Sequence, residues 1–324
     1  MPAIDVLVVS VDSTTGWRAA ARELAGSLSR AGARVEVVGT GPLRPVRTFA
    51  LTDLLEARAA RHACERGVAE HDPRAVIYCS VTAALLWPRP GAIWLDTLAA
   101  ENRPGRHGVW QRVVERRRLE RAPLVLTMSP RALGTVPPPA DGTVVVPVPV
   151  DPSGPLDGPR DVDAVMYAGN PEKKRLDHVL RAWEAARREG ETLVVAGLER
   201  LDPRPGVEVA GRLAPDAYRA LLRRARVFVA APQREDYGIA PLEALADGCQ
   251  LVTTPAPGPY PALALARQLD PRLAVHDLVP ALRAALDDPL PGYAARAGEL
   301  LAPFSRAAVD RTVDERVLPR LLSR

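Results

Sequence analysis

The chain opens on an unbroken apolar run over 4–10 and then changes period. Apolar residues next recur at Ala20, Leu24 and Leu28, a spacing that predicts one buried face of a helix over 16–31. Gly32 follows where a left-handed cap belongs. The same alternation continues. Short β-rich runs predict strands over 35–38, 75–79, 92–95 and 124–128, and helical spacing predicts helices over 51–68 and 109–121. Such alternation implies a parallel sheet with crossover helices.

The pattern lapses over 136–160, where prolines crowd at 137–139, 147, 149, 152, 155 and 159. A short strand over 143–146 is expected inside this stretch, which is read as the connection between two domains. Alternation then resumes. Strands are expected over 164–168, 192–196, 207–209, 227–230 and 250–253, with helices over 175–188, 215–225, 241–246 and 279–286. An amphipathic helical tail is expected over 305–322. The fold class is α/β, with Rossmann-like domains over 1–150 and 151–305.

Composition narrows the classes. A length of 324 residues fits about two domains. With 47% apolar and 25% charged residues the chain reads as ordinary globular protein. No apolar run reaches the roughly 18 residues of a membrane helix. The N-terminus lacks a basic segment before its apolar run, so it reads as a first strand and not as a signal peptide. Cys64, Cys79 and Cys249 are odd in number and scattered, which argues against a disulfide scaffold or clustered zinc site and fits a reducing cytoplasm. His62, His71, His107, His178 and His276 make no pair at metal-ligand spacing, so no metal site is expected. His107 sits in a loop-like stretch and reads as a surface residue.

Net charge is +4, and the first 150 residues hold 19 Arg against 14 acidic residues, a weak pull toward an anionic partner. Aromatics at 4% and the lack of a recognition motif argue against nucleic acid. Arg112, Arg116, Arg117, Arg118 and Arg121 give one helix a basic face. It reads as solvated, with peripheral contact to anionic lipid or an acidic acceptor as the alternative. All but two of the 43 basic residues are arginine, a bias that suggests GC-rich, bacterial coding. The two lysines, Lys173 and Lys174, are adjacent.

Ligands of parallel sheets gather beyond the carboxyl ends of the strands. After the strand at 227–230 comes Ala231-Pro-Gln-Arg-Glu235-Asp-Tyr-Gly238-Ile-Ala-Pro-Leu-Glu243. A helix start leaves free N–H groups and a partial positive charge. Gly238 has no side chain to bar a phosphate from the amides of Ile239 and Ala240. Glu243, in the first turn of a helix begun by Pro241, offers two acceptor oxygens to a ribose diol. The plain alternative is a carboxylate at a helix start and a solvated Glu235. After the strand at 164–168, Gly169 permits close backbone approach, and Lys173 or Lys174 presents an ammonium to a diphosphate. The alternative there is two solvated lysines, although positive charge at a helix start invites an anion.

Together these segments resemble the GT-B glycosyltransferases classed as family 4. Two glutamates separated by seven residues, Glu235 and Glu243, lead into Ala244-Leu-Ala-Asp-Gly248 and a strand. The resemblance covers about residues 163–260 well. It implies two Rossmann-like domains facing each other across a cleft, with the tail 306–324 returning to the first. It implies metal-independent transfer of a hexosyl group from a UDP- or GDP-sugar, with retained configuration and no further cofactor. The acceptor would be a glycan, a lipid-linked molecule or a small molecule. Glu235 would lie near the anomeric carbon and Glu243 on the ribose. Lys174, Gly169, Asn170 and the amides of Gly238, Ile239 and Ala240 would hold the diphosphate, with Lys173 the alternative lysine. Arg212 and Leu213 would face the base. Asn170 stands where the family often has Arg. Gly16 is the one glycine of the N-terminal loop, with Thr14 and Thr15 as substitutes for amide contacts. The family's common His is missing, which leaves Asp96 as the candidate base or acceptor ligand. A non-catalytic, nucleotide-binding or scaffolding relative is the alternative function. A nicotinamide-dependent oxidoreductase is disfavoured by the lack of a G-x-G-x-x-G after the first strand.

Overall fold

β1 (Val6–Ser10) is buried along its whole length, as expected of a central parallel strand covered on both faces. The computed structural model describes residues 4–12, 15–41, 43, 46, 48–134 and 142–323. Thr14, the side chains of Thr15 and His107, and prolines 137–139 lie outside what is described. The chain divides into two compact units, Met1–Pro149 with Arg306–Arg324, and Val150–Ser305.

In the first unit β1 is joined by β2 (Val35–Gly39), β3 (Ala75–Cys79), β4 (Ala92–Leu95), β5 (Val125–Thr127) and β6 (Thr143–Val145). All pair in parallel, in the order β2-β1-β3-β4-β5-β6. The crossovers are α1 (Thr15–Arg30), α2 (Phe49–His71), α3 (Val81–Ala84), α4 (Ala99–Asn102) and α5 (Val109–Arg121). One core joins Leu7 and Val9 of β1 to Ala57, Ala60 and Cys64 of α2 and to Tyr78, Ile93 and Leu95. The tail, α12 (Arg306–Thr312), a π-turn at Val313–Val317 and α13 (Leu318–Leu322), closes on α1. Asp310 pairs with Arg30 at 2.6 Å, and Glu23 accepts from Arg306 at 2.5 Å.

The helix predicted over 109–121 forms with those bounds as α5. Its buried face is Gln111, Glu115 and Leu119, while Val109 and Val113 are exposed. Glu115 accepts the Ala99 amide at 2.7 Å and so caps α4 from a distance. Burial pushes this carboxyl up to about 7. Gln111 donates to Asp53, which also holds Arg103 at 2.8 Å.

In the second unit the sheet runs β11-β10-β7-β8-β9, again all parallel. The strands are β7 (Val162–Tyr167), β8 (Leu193–Ala196), β9 (Val207–Gly211), β10 (Ala225–Ala230) and β11 (Gln250–Thr253). The helices are α6 (Leu176–Ala186), α7 (Pro215–Arg224), α8 (Ile239–Ala246), α9 (Pro261–Leu269), α10 (Leu278–Asp287) and α11 (Tyr293–Leu301). Strand order reverses between β7 and β10, and such a switch point opens a crevice at the carboxyl ends.

One buried ion pair locks α7 to α8. Asp247 is fully buried at the end of α8 and accepts from Arg219 Nε at 2.5 Å and Nη2 at 3.0 Å. It also accepts from the backbone N–H and the hydroxyl of Ser153, each at 2.8 Å. Removing one partner of such a pair strands the other charge. Asp247→Ala is therefore expected to destabilise the fold by about 3–5 kcal/mol, read from urea unfolding. A loss below about 1 kcal/mol, the scale of a surface pair, would show that the network does not anchor α8.

Candidate functional site

The loops after β7 and β10 meet at the switch point. Gln233 donates its backbone N–H to the Lys173 carbonyl at 2.9 Å, and Glu235 donates its own to Pro257 at 3.0 Å. These bonds fix the polar loop against both the β7 loop and the segment after β11. Between the two strand ends lies a narrow hollow lined by Met166, Tyr167, Lys174, Phe228 to Pro232, Glu235, Ala240 and Pro241.

Lys174 and Glu235 meet in it, with Nζ 2.5 Å from Oε2. The anion that the lysine pair invites is thus already supplied within the chain, by Glu235. Lys173 points its side chain to solvent, so of the two lysines only Lys174 lines the hollow. Both precede α6, whose start is Arg175 in the left-handed region with φ 51°. Asn170 Oδ1 accepts the Lys173 N–H at 3.0 Å, so its side chain organises its own turn. Gly169 is exposed just past β7, close to the Tyr167 ring.

Gly238 caps α8 with φ +81°, a conformation that a side chain would strain. A Cβ there would also come 3.0 Å from Glu235 Cγ and 3.1 Å from the Tyr260 ring. Tyr260 is buried with φ 32° and shares a hydrogen bond of 2.8 Å with Thr253. Among the described residues no side chain caps α8 at its first amides, those of Ile239 and Ala240, and Ala240 lines the hollow with Lys174. The helix begins two residues earlier than its sequence suggests. Pro241 is then its third residue, and Glu243 opens the second turn instead of sitting in the first.

Glu243 is not part of the hollow's lining. It sits one turn along α8, with Oε1 3.9 Å from Arg219 Nη1. Burial pushes its carboxyl up to about 7, opposed by Arg219 and reinforced by Asp247. Tyr218 lies near, its hydroxyl buried with no partner among the described residues and its ring edge-on to Tyr167 at 5.6 Å. Arg212 and Leu213 follow β9. Arg212 is exposed, 3.5 Å from Glu199, and Leu213 is half-buried.

Asp96 and Gly16 belong to the first unit. Asp96 is half-buried just past the end of β4. Gly16 is exposed in the first turn of α1 and not in the loop before it. Sequence reasoning missed Arg219, Asp247, Tyr218 and Tyr260. Among 43 basic residues nothing marks Arg219 out, and the left-handed Tyr260 carries no sequence signal at all. Among the described residues no His, Cys, Asp or Glu group is arranged to hold a metal ion, and no helix is long and apolar enough to cross a membrane.

Two parallel-sheet α/β units of this kind define the GT-B fold. Residues 163–288 match the family described as Glycosyl transferases group 1. Among solved structures, the chain is similar to sucrose-phosphate synthase from Thermosynechococcus elongatus, at 16% identity and TM-score 0.64, covering 96% of this chain and 97% of that one. It is also similar to Anabaena HepE in complex with UDP-glucose, at 14% identity and TM-score 0.67, covering 96% and 98%. WaaG, a glycosyltransferase involved in lipopolysaccharide biosynthesis, aligns at 13% identity and TM-score 0.63, covering 99% and 98%. At these identities the likeness is one of fold. Comparison with curated proteins finds no match.

Proposed function

We propose that this protein is a family 4 glycosyltransferase, moving a hexosyl group from a UDP- or GDP-sugar to an acceptor hydroxyl with retention of configuration and without a metal. The observation that carries this reading is the meeting of Lys174, Glu235 and the uncapped start of α8 at the switch point of the second sheet. The match of residues 163–288 and the UDP-glucose complex of HepE support it.

The diphosphate lies on the amides of Ile239 and Ala240, with Gly238 and Gly169 leaving room. Lys174 has three N–H donors, and Glu235 takes one of them. The others face the diphosphate oxygens. Glu243 takes the ribose hydroxyls, and the backbone at Arg212 and Leu213 faces the base. The acceptor oxygen forms its bond to the anomeric carbon as the bond to the diphosphate breaks. The leaving phosphate oxygen takes the acceptor proton. Charge grows on the diphosphate, and the ammonium and helix start stabilise it there. Glu235 lies against the sugar, and Asp96 is the acceptor-side carboxylate. On α5, Val109 and Val113 stand exposed among arginines, which supports an anionic or lipid-linked acceptor and peripheral membrane contact.

A panel of sugar nucleotides in a thermal-shift assay identifies the donor, because a ligand of the native state raises the melting midpoint by mass action. The stabilising donor is expected to be hydrolysed slowly without acceptor. Glu235→Ala is expected to keep the shift and lose the hydrolysis. Failure of every UDP- and GDP-sugar to stabilise the protein would overturn the assignment. Stabilisation with no turnover, given acceptor or water, would instead favour a binding subunit.

A further inference from the structure

At the amino-terminal ends of β7, β10 and β11, away from the Lys174 hollow, lies an open groove of about 380 Å³. Its lining includes Arg160, Arg226, Gly248, Gln250, Tyr293 and Ala295. Gln250 is 8% exposed. Its Nε2 donates to the Ala285 carbonyl at 2.8 Å, which fixes the amide, since a flip would set two oxygens against each other. Its Oε1 is then a buried acceptor with no donor among the described residues. The nine-residue helix α11 starts in the groove, from Gly292 with φ +69° and with no side-chain cap. Ala294 and Ala295, in its first turn, line the wall.

The charge around the groove is unbalanced. Arg160 donates to the carbonyls of Ala225 and Asp247 and has no carboxylate partner among the described residues. Arg226 is paired with Asp163 at 3.0 Å and donates to the Leu286 carbonyl. The Tyr293 hydroxyl accepts the Leu251 N–H at 3.1 Å and so fixes the ring that lines the groove. The Tyr293 N–H donates to the Leu290 carbonyl at 3.3 Å, so the guanidiniums and the remaining first-turn amides, at Ala294 and Ala295, are what call for an anion. The orphaned Gln250 oxygen calls for a hydrogen-bond donor.

We propose that this groove is a second binding site, for a small phosphate-bearing anion that also carries a hydrogen-bond donor. Monohydrogen phosphate meets both demands through its own O–H. A sugar phosphate meets them through its phosphate and a neighbouring hydroxyl. Sulfate, with no proton at neutral pH, meets only the first. The site is independent of the donor hollow, at the opposite end of the same sheet.

Calorimetry on the full chain with inorganic phosphate, glucose 6-phosphate and sodium sulfate tests it. At least one phosphate species is expected to bind about tenfold or more tighter than sulfate, the scale of one hydrogen bond. Binding by inorganic phosphate alone identifies the free ion as the ligand, and binding by the sugar phosphate alone identifies the monoester. Ala295→Asp places a carboxylate in the first turn of α11. It favours the helix, so the melting midpoint should hold or rise, while phosphate affinity should fall by about tenfold or more. Lys174→Ala should leave the binding unchanged. Binding no tighter than sulfate, survival of binding in Ala295→Asp, or its loss in Lys174→Ala would each overturn the proposal. The last outcome would move the ion to the donor hollow and leave the glycosyltransferase reading intact.

Discussion

Lys174→Ala is expected to lower turnover by about 10²–10³-fold, the usual cost of removing one preorganised donor from a site where charge develops. The ammonium sits 2.5 Å from Glu235 and lines the hollow beside the start of α8, so its position is set before any substrate arrives. A cation aimed at the diphosphate acts on the charge that grows as the glycosidic bond breaks. The same variant should weaken UDP more than uridine, because only the former carries the phosphates. Single-turnover kinetics and paired titrations separate the two effects. Glu235 is left without its partner in this variant, so Lys174→Gln serves as the control that retains a donor and removes the charge. Equal loss for nucleotide and nucleoside, or turnover unchanged in both variants, would remove Lys174 from the mechanism.

The sheet was legible because its strands are continuous apolar runs. β3, β4 and β11 carry the bounds that their residues predict, and fully buried parallel strands leave few alternatives. The bounds of α5 were legible too, at 109–121, but its buried face was not. Its inner face is polar because Glu115 and Gln111 hold α4 and Asp53, so the apolar positions Val109 and Val113 are the exposed ones. Periodicity reports which residues are apolar, and here burial follows hydrogen bonding instead. α9 and α11 also escaped notice, since each follows a proline-rich stretch that reads as loop.

The same contrast holds at the candidate site. Gly238, Glu235 and Lys174 stood out by residue type and spacing, and they meet at one switch point. The supports around them did not. Asp247, Arg219 and Tyr260 act through tertiary contacts between α7, α8 and the segment after β11, and no local pattern encodes those. The start of α8 at Ile239 belongs to this group. Gly238 in the left-handed region, packed on Tyr260, begins the helix ahead of the proline that marks it in sequence.

Glu243→Ala is expected to weaken nucleotide binding by about 10–100-fold, the range of hydrogen bonds to a charged acceptor. The wild-type site should also show a pH dependence that the variant lacks. Burial pushes the Glu243 carboxyl up to about 7, so it ionises within the working range. Ionised, it accepts at both oxygens, and protonated it loses one acceptor position. Donor affinity should therefore fall as pH drops from about 8 to about 6, by roughly three- to tenfold, and stay flat in the alanine variant. A nucleotide diphosphate sugar is the right probe, because its phosphates do not change charge over that window. For folding the sign is opposite. The native carboxyl holds its proton more tightly than the unfolded one, whose ordinary value is 4.5. Its contribution to stability is present below that value and is lost as pH rises through about 7. Glu115 shifts stability in the same direction, so the signature of the buried acid on α8 is a fall in melting midpoint from pH 6 to pH 8 that is smaller in Glu243→Ala than in wild type, together with tighter donor binding at pH 8 in wild type alone. Donor affinity independent of pH, or equal in wild type and alanine variant, would take Glu243 out of the donor site.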